Sequence, residues 1–200
     1  MFLRSTAVQH MIQTSQKTGH LVAHFFYSHL YQSRLKAAHL FGSYIKQILA
    51  YLDMTGKQLP FGIITWVKRF YGPKRHYPKF EEIIDEIFLP LSDLLPGTIY
   101  VVDGLDECEQ EEVRKVLRIF QKMMSQHGKK VFISGREALD VTKSIPDSIA
   151  VVISDENNRQ DIRRFIEWRI GEKMREKQLT EKESVLQDIK NKLDEKADRM

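Results

Sequence analysis

The chain has 200 residues, a length that predicts one domain or slightly more. Hydrophobic residues make up 42% of the sequence and the net charge is only +4, which supports a packed core and excludes wholesale disorder. The single cysteine excludes an internal disulfide framework, and no apolar run reaches the roughly 18 residues of a membrane-spanning helix. Because the N-terminal residues are too polar for a signal peptide, we expect a soluble, cytoplasmic chain with no membrane partner.

Apolar residues follow two kinds of pattern along the chain. Helical spacing predicts helices over 2–17, 35–52, 62–70, 80–94, 111–126 and 158–171, followed by a last helix from Thr180. We expect Pro90 to kink or interrupt the helix that contains it. Short continuous apolar runs predict strands over 21–26, 98–102, 130–133 and 150–153. Strands that alternate with helices in this way predict an α/β fold, with a mostly parallel sheet covered by helices on both faces.

The charged residues are unevenly distributed and indicate where the chain divides. From residue 155 to the C-terminus, 12 basic and 12 acidic residues make 24 of 46 positions charged, with no net charge. We therefore predict a core over 1–154 and a charged helical segment over 155–200. A basic and aromatic stretch over 68–79 is typical of nucleic-acid contacts, but the modest total charge favours a solvated loop and argues against a nucleic-acid partner.

The strongest chemical signal follows the second predicted strand, where residues 101–108 read Val-Val-Asp-Gly-Leu-Asp-Glu-Cys. The strand delivers Asp103 to its carboxyl end, the edge at which open α/β sheets bind ligands. In nucleotide hydrolases such an aspartate holds Mg²⁺, usually through water, and a second acid nearby orients the attacking water. An acidic turn without a ligand is the alternative, but the crowding of Asp103, Asp106 and Glu107 favours a neighbouring cation or basic group.

A second signal ends the third predicted strand, where Ser134 is followed by Gly135 and Arg136. If this strand lies beside the acidic one, Arg136 is placed to sense a terminal phosphate or to neutralise the carboxylates. Taken alone, an ordinary ion pair at a strand end is the simpler interpretation.

Together these segments resemble the NACHT domains of the STAND class of P-loop nucleoside triphosphatases, and most of all the nephrocystin-type N-terminal domain of large fungal signalling proteins. VVDGLDEC over 101–108 is similar to the family's Walker B segment, and VFISGRE over 131–137 is similar to its sensor 1 strand. LVAHFFYSH over 21–29 and SYIKQIL over 43–49 resemble its second strand and a characteristic helix. The resemblance implies a three-layer P-loop NTPase-like core that binds Mg-ATP or Mg-GTP and acts with other domains or protomers of a signalling protein.

The resemblance also implies a role for each residue of the two motifs. Asp103 would coordinate Mg²⁺, while Glu107 with Asp106 would position the hydrolytic water or report on the γ-phosphate. Arg136 would be the sensor 1 residue and, with Ser134, would belong to the nucleotide-binding set.

The phosphate-binding loop of that family is missing from this sequence. None of the ten glycines begins a G-x-x-x-x-G-K-[ST] motif, whose backbone N–H groups and lysine would cradle the phosphates. The resemblance places residues 2–11 directly after that loop, so we expect the central first strand to be absent as well. The strands over 21–26, 98–102 and 130–133 should then pair together, and the strand over 150–153 should lie apart or collapse against 130–133.

Two interpretations remain open at this stage. In the first, the chain is a fragment, or a misassigned start, of a STAND-type signalling switch and does not hydrolyse nucleotide by itself. In the second, it is a complete, degenerate and non-catalytic protein-interaction module. In either case Cys108, beside Asp106 and Glu107, should have a raised thiol pKa and be a poor nucleophile.

Overall fold

The computed structural model describes residues 10–15, 19–27, 36–71, 77–136, 141–151, 155–177, 179–180 and 182–197. The chain forms two compact units, Met1–Ser148 and Ile149–Met200, whereas the sequence places the division between residues 154 and 155.

The first unit alternates strands and helices in the predicted order. Residues 10–15 are helical, and the rest of the helix predicted over 2–17 lies outside the described residues. The elements that follow are β1 (Val22–Phe26), α1 (Ala37–Met54), α2 (Phe61–Tyr71), α3 (80–93), β2 (Ile99–Asp103), α4 (Gln110–His127), β3 (Lys130–Ser134) and α5 (Val141–Ser144). The α/β class is therefore confirmed.

The three strands form one fully parallel sheet in the order β1-β2-β3. This pairing confirms that the three predicted strands lie together, with Asp103 level with Phe26 on one side and with Ser134 on the other. In the strand predicted over 150–153, Ala150 and Val151 have no regular secondary structure, and 152–154 lie outside the described residues.

Helices cover both faces of the sheet, as predicted. Helices α1, α3 and α4 pack on one face around buried aromatic rings, with ring centroids 5.0 Å apart for Phe41–Phe88 and 5.2 Å apart for Tyr44–Tyr100. On the opposite face, the helical residues Met11 and Ile12 pack against a smaller apolar cluster of the sheet. The buried phenols have hydrogen-bond partners: the Tyr44 hydroxyl donates to the Val101 carbonyl at 2.9 Å, and the Tyr100 hydroxyl donates to Ser92 Oγ at 2.7 Å.

Pro90 interrupts the regular hydrogen bonding of α3 without ending the helix. A prolyl ring lacks an N–H and clashes with the carbonyl four residues earlier, here that of Glu86. The helix accommodates it with a π-helical segment over Ile84–Phe88, in which the Leu89 N–H donates to the Ile84 carbonyl five residues back. The prediction that Pro90 interrupts this helix is confirmed, and the wide turn keeps Phe88 in the core.

The outer edge of β1 is closed by one side chain of α1. The Gln47 amide donates to the His24 carbonyl at 2.8 Å and accepts from the His24 N–H at 3.0 Å, so it takes the place that another strand would occupy. Exposed strand edges invite pairing with other chains, and this contact satisfies the outward backbone groups at the middle of the β1 edge.

The N-terminus of α1 is held by a carboxylate from a distant part of the chain. Glu112, in the first turn of α4, accepts from the Ala37 N–H at 2.7 Å and from Lys115 Nζ at 2.8 Å. Burial raises the pKa of Glu112, but these hydrogen bonds outweigh it and hold the pKa below its usual value. The contact connects α1 to α4 beside the carboxyl ends of the strands.

The second unit contains two helices, α6 (Asp155–Arg175) and α7 (Glu183–Ala197). Helix α6 exposes Phe165 and Trp168, whose ring centroids are 6.0 Å apart. None of the described helices, in either unit, is long and apolar enough to cross a membrane.

We predict that Gln47→Leu lowers the free energy of unfolding by about 1–3 kcal/mol, because it removes the two hydrogen bonds that the Gln47 amide makes with the His24 backbone. Urea unfolding measures this difference. Gln121→Leu, at an exposed site on α4, is the matched control and should change stability by less than about 0.5 kcal/mol. Equal losses for the two variants would contradict the role of Gln47 at the edge.

We predict that Glu112→Gln is destabilising at neutral pH but not in acid. The depressed folded-state pKa means that this carboxylate stabilises the fold above the unfolded value of 4.5 and loses that effect as pH falls through the lower folded value. The unfolding free energies of wild type and variant should therefore differ at neutral pH and converge as the pH is lowered through this range. Glu111→Gln also loses a contact to Lys115 but none to Ala37, so its effect should be smaller.

Candidate functional site

The turn after β2 brings the predicted acidic residues to the carboxyl edge of the sheet. Gly104 has φ +73°, and a Cβ there would lie 3.1 Å from the Tyr27 carbonyl oxygen, so glycine is required for both conformation and space. A 3₁₀ turn follows over Leu105–Glu107, and buried Leu105 anchors it in the core. The sharp reversal keeps Asp106 and Glu107 within a few residues of the strand end.

Asp103 is fixed by contacts to both neighbouring strands. Its carbonyl accepts from the Tyr27 N–H at 2.9 Å, and the Gly104 N–H donates to the Ser134 carbonyl at 3.1 Å. Its carboxylate accepts a hydrogen bond from the Ser134 hydroxyl. The two residues predicted from separate motifs, Asp103 and Ser134, are therefore direct partners.

Asp106 and Arg136 form an ion pair across the same edge. Arg136 Nε lies 2.5 Å from Asp106 Oδ2, with the Asp106 side chain 10% exposed and the Arg136 side chain 77% exposed. The hydrogen bond to Asp106 raises the pKa of the Arg136 guanidinium, and the charge of Glu107 adds to this effect. The expectation that a basic group accompanies the crowded carboxylates is met by Arg136.

Glu107 closes the turn. Its N–H donates to the Gly104 carbonyl at 3.0 Å, and the residue is half-buried. All five residues predicted from the sequence therefore lie within the ends of β2 and β3 and the segments that follow them.

Tyr27 is a member of this edge that the sequence motifs do not indicate. It directly follows β1, its hydroxyl donates to the Lys36 carbonyl at 3.3 Å, and burial raises its pKa well above the usual value. Its position in the chain could have indicated this, because Tyr27 directly follows β1. Since β1 is parallel to β2 and β3, all three strands end at the same edge of the sheet.

Cys108 lies next to Tyr27 and is partly buried. Burial is the largest cause that raises its thiol pKa to about 11, and the charges of Glu112, Asp106 and Glu107 raise it further against the opposing effect of a hydrogen bond with Tyr27. The predicted raised pKa is confirmed, although burial contributes more than the adjacent carboxylates.

The described residues fit the Mg²⁺-binding part of a magnesium–nucleotide site but not its phosphate-binding part. No group of three or more His, Cys, Asp or Glu side chains in the described part of the chain could hold a metal ion by itself. Mg²⁺ bound with a nucleotide needs only one or two carboxylates, because waters and phosphate oxygens complete its shell, and Asp103 offers such a carboxylate. The sequence contains no G-x-x-x-x-G-K-[ST] loop, which would be needed to cradle the phosphates.

Comparison with known families decides where the chain belongs. Residues 3–136 match the family model described as Nephrocystin 3, N-terminal, which is well over half of the chain. The chain belongs to the nephrocystin 3 N-terminal family. The match confirms the nephrocystin-type part of the resemblance, and it spans every residue of the candidate site from Asp103 to Arg136. No curated protein and no solved structure matches the chain.

For this member of the nephrocystin 3 N-terminal family, we predict that Cys108 is slow to alkylate at neutral pH. A pKa near 11 leaves about a hundredfold less thiolate than the ordinary value of 9.0 does. Iodoacetamide labelling should therefore accelerate about tenfold per pH unit through the alkaline range. The same protein unfolded in guanidinium provides the control, with an ordinary thiol profile. A labelling midpoint near 9.0 in the folded protein would contradict the buried environment.

Proposed function

We propose that this chain carries the Walker B and sensor 1 half of a STAND-type, NACHT-class nucleotide-dependent signalling switch, and that it does not hydrolyse nucleotide by itself. The observation that carries the proposal is the pairing of two polar contacts at one sheet edge, Asp103 with Ser134 and Asp106 with Arg136. Each contact joins the end of β2 to the end of β3, which is where parallel sheets of this class bind ligands.

The two aspartates have different surroundings, which supports different roles. Asp103 accepts from a neutral hydroxyl and keeps its charge available for a Mg²⁺ ion or for its coordinated water. Asp106 is paired with a guanidinium, and Arg136 is exposed enough to reach an approaching phosphate. In the proposed switch, Asp103 is the Mg²⁺ residue, Asp106 and Glu107 orient water or report on the terminal phosphate, and Arg136 senses that phosphate.

The resemblance to that class supports the proposed nucleotide and partners. Mg-ATP or Mg-GTP would be the ligand, and the missing phosphate loop would have to come from outside these 200 residues. Other domains or protomers of a signalling protein would then read the state of the site.

We predict that the 200-residue chain shows no saturable, Mg²⁺-dependent binding of mant-ATP, because nothing in its sequence cradles the phosphates. Fluorescence titration measures this. If the upstream reading frame encodes a G-x-x-x-x-G-K-[ST] loop, the extended protein should bind mant-ATP. That binding should be lost in Asp103→Asn and retained in Asp53→Asn, an exposed control on α1.

Two results would contradict the proposed function. One is micromolar, Mg²⁺-dependent binding by the 200-residue chain that disappears on Asp103→Ala. The other is an extended protein whose nucleotide affinity is unchanged by Asp103→Asn.

A further inference from the structure

A cavity of about 410 Å³ lies between helices α1, α2 and α3. Eight of its nine lining residues are aliphatic, with Leu49 contributed by α1, Ile64 by α2 and Leu91 by α3. Leu91 is fully buried, whereas Leu49 and Ile64 are only partly buried, so the cavity extends from the core to the surface. All nine residues lie between β1 and β2 in the chain, and none belongs to the candidate site at the carboxyl edge.

The wall of this cavity is suited to an apolar occupant. Its accessible atoms are all apolar, whereas an ordered water needs two to four polar partners. Protein interiors contain few voids larger than a water molecule, because wall atoms that face empty space lose their dispersion contacts. Sites for small molecules have volumes of roughly 300–1,000 Å³ and mostly apolar walls. The cavity therefore has the size and the lining of a small-molecule site.

The mouth of the cavity carries a positive charge. The ninth lining residue is Lys68 on α2, which is exposed to solvent. A lysine in such a place lays its methylene stem along the apolar wall and keeps its ammonium group in water. Among the described residues, no acidic side chain lines the cavity, and α2 itself contains two bases and no acid. The charge at the mouth therefore favours a ligand whose polar end is anionic.

We propose that this cavity binds a medium-chain fatty acid, with its aliphatic chain between the three helices and its carboxylate beside Lys68. One ammonium group balances one negative charge, which favours a carboxylate over a dianionic phosphate head group. At the roughly 30 Å³ that a water-sized group occupies in the liquid, the cavity holds about a dozen such groups or more, which is comparable to decanoate.

The shape of α3 supports a ligand at this place. Ile87, another lining residue, belongs to the π-helical segment Ile84–Phe88, and π-helical turns are frequent at functional sites. The ligand would contact three helices that connect β1 to β2 and would need neither nucleotide nor Mg²⁺. The inference therefore goes beyond the proposed function, and either can fail without the other.

Calorimetric titration of the 200-residue chain with octanoate, decanoate and dodecanoate tests the proposal. Affinity should rise about fourfold per added methylene while the cavity fills, and it should level off once the chain is longer than the cavity. Methyl NMR locates the site. Decanoate should shift the methyl signals of Leu49 and Ile64 but not those of Val22, which lies in the apolar cluster on the opposite face of the sheet.

Two variants separate the chain from the head group. Ile64→Trp fills the cavity and should abolish decanoate binding. Lys68→Glu should weaken decanoate about tenfold and allow decyltrimethylammonium to bind in its place. Arg69→Glu is the matched control, because Arg69 is the exposed neighbour of Lys68 and does not line the cavity, so decanoate binding should be retained. Circular dichroism checks that each variant is folded.

Three results would overturn the proposal. The first is a wild-type chain without saturable decanoate binding, which would leave the cavity to an apolar side chain of a partner protein. The second is decanoate binding that neither Ile64→Trp nor Lys68→Glu alters. The third is association with phosphatidylserine vesicles by a chain that does not bind dissolved decanoate, since the cavity would then belong to a membrane-docking surface.

Discussion

The central position of β2 is the constraint on which the rest of this structure depends. Its backbone groups are shared between β1 and β3, so a change of register would break two ladders at once and turn its buried side chains to the wrong face. That register sets Asp103 level with Ser134 and places the segments that carry Asp106 and Arg136 side by side. The geometry of the candidate site is therefore a consequence of strand pairing, and the polar contacts within the site refine it.

Helix α1 supplies the polar contacts that strand pairing cannot. Its Gln47 closes the β1 edge, and its Tyr44 donates to the Val101 carbonyl within the sheet. Its own first turn is held by Glu112 from α4. A helix that packs on a sheet face over an edge strand must bury apolar area and also satisfy backbone groups, because an unpaired buried group costs about 1–3 kcal/mol. This double requirement explains polar residues on an otherwise apolar helical face.

The fold was largely predictable because it rests on local patterns, whereas the site depends on contacts between distant residues. Periodicity is a property of neighbouring residues, and it predicted all three strands and the helices between them. Gln47 with His24 and Glu112 with Ala37 could not be predicted, because a pattern within one helix does not reveal which remote backbone group its polar side chains reach. Arg136 beside Asp106 was predictable only once the two strands were assumed to be neighbours. Tyr27 carries no motif, so only the topology identifies it.

The ion pair at the site couples two events in the proposed switch. Asp103, Asp106 and Glu107 place three carboxylates within five residues at this edge, and the guanidinium of Arg136, paired with Asp106, compensates only part of their charge. A free phosphate would be repelled, whereas a phosphate that arrives with Mg²⁺ would not. If Arg136 moves toward such a phosphate, Asp106, nine-tenths buried, loses its partner and must find another. Ligand binding and rearrangement of the turn after β2 are then linked, and this linkage is what converts a binding site into a switch.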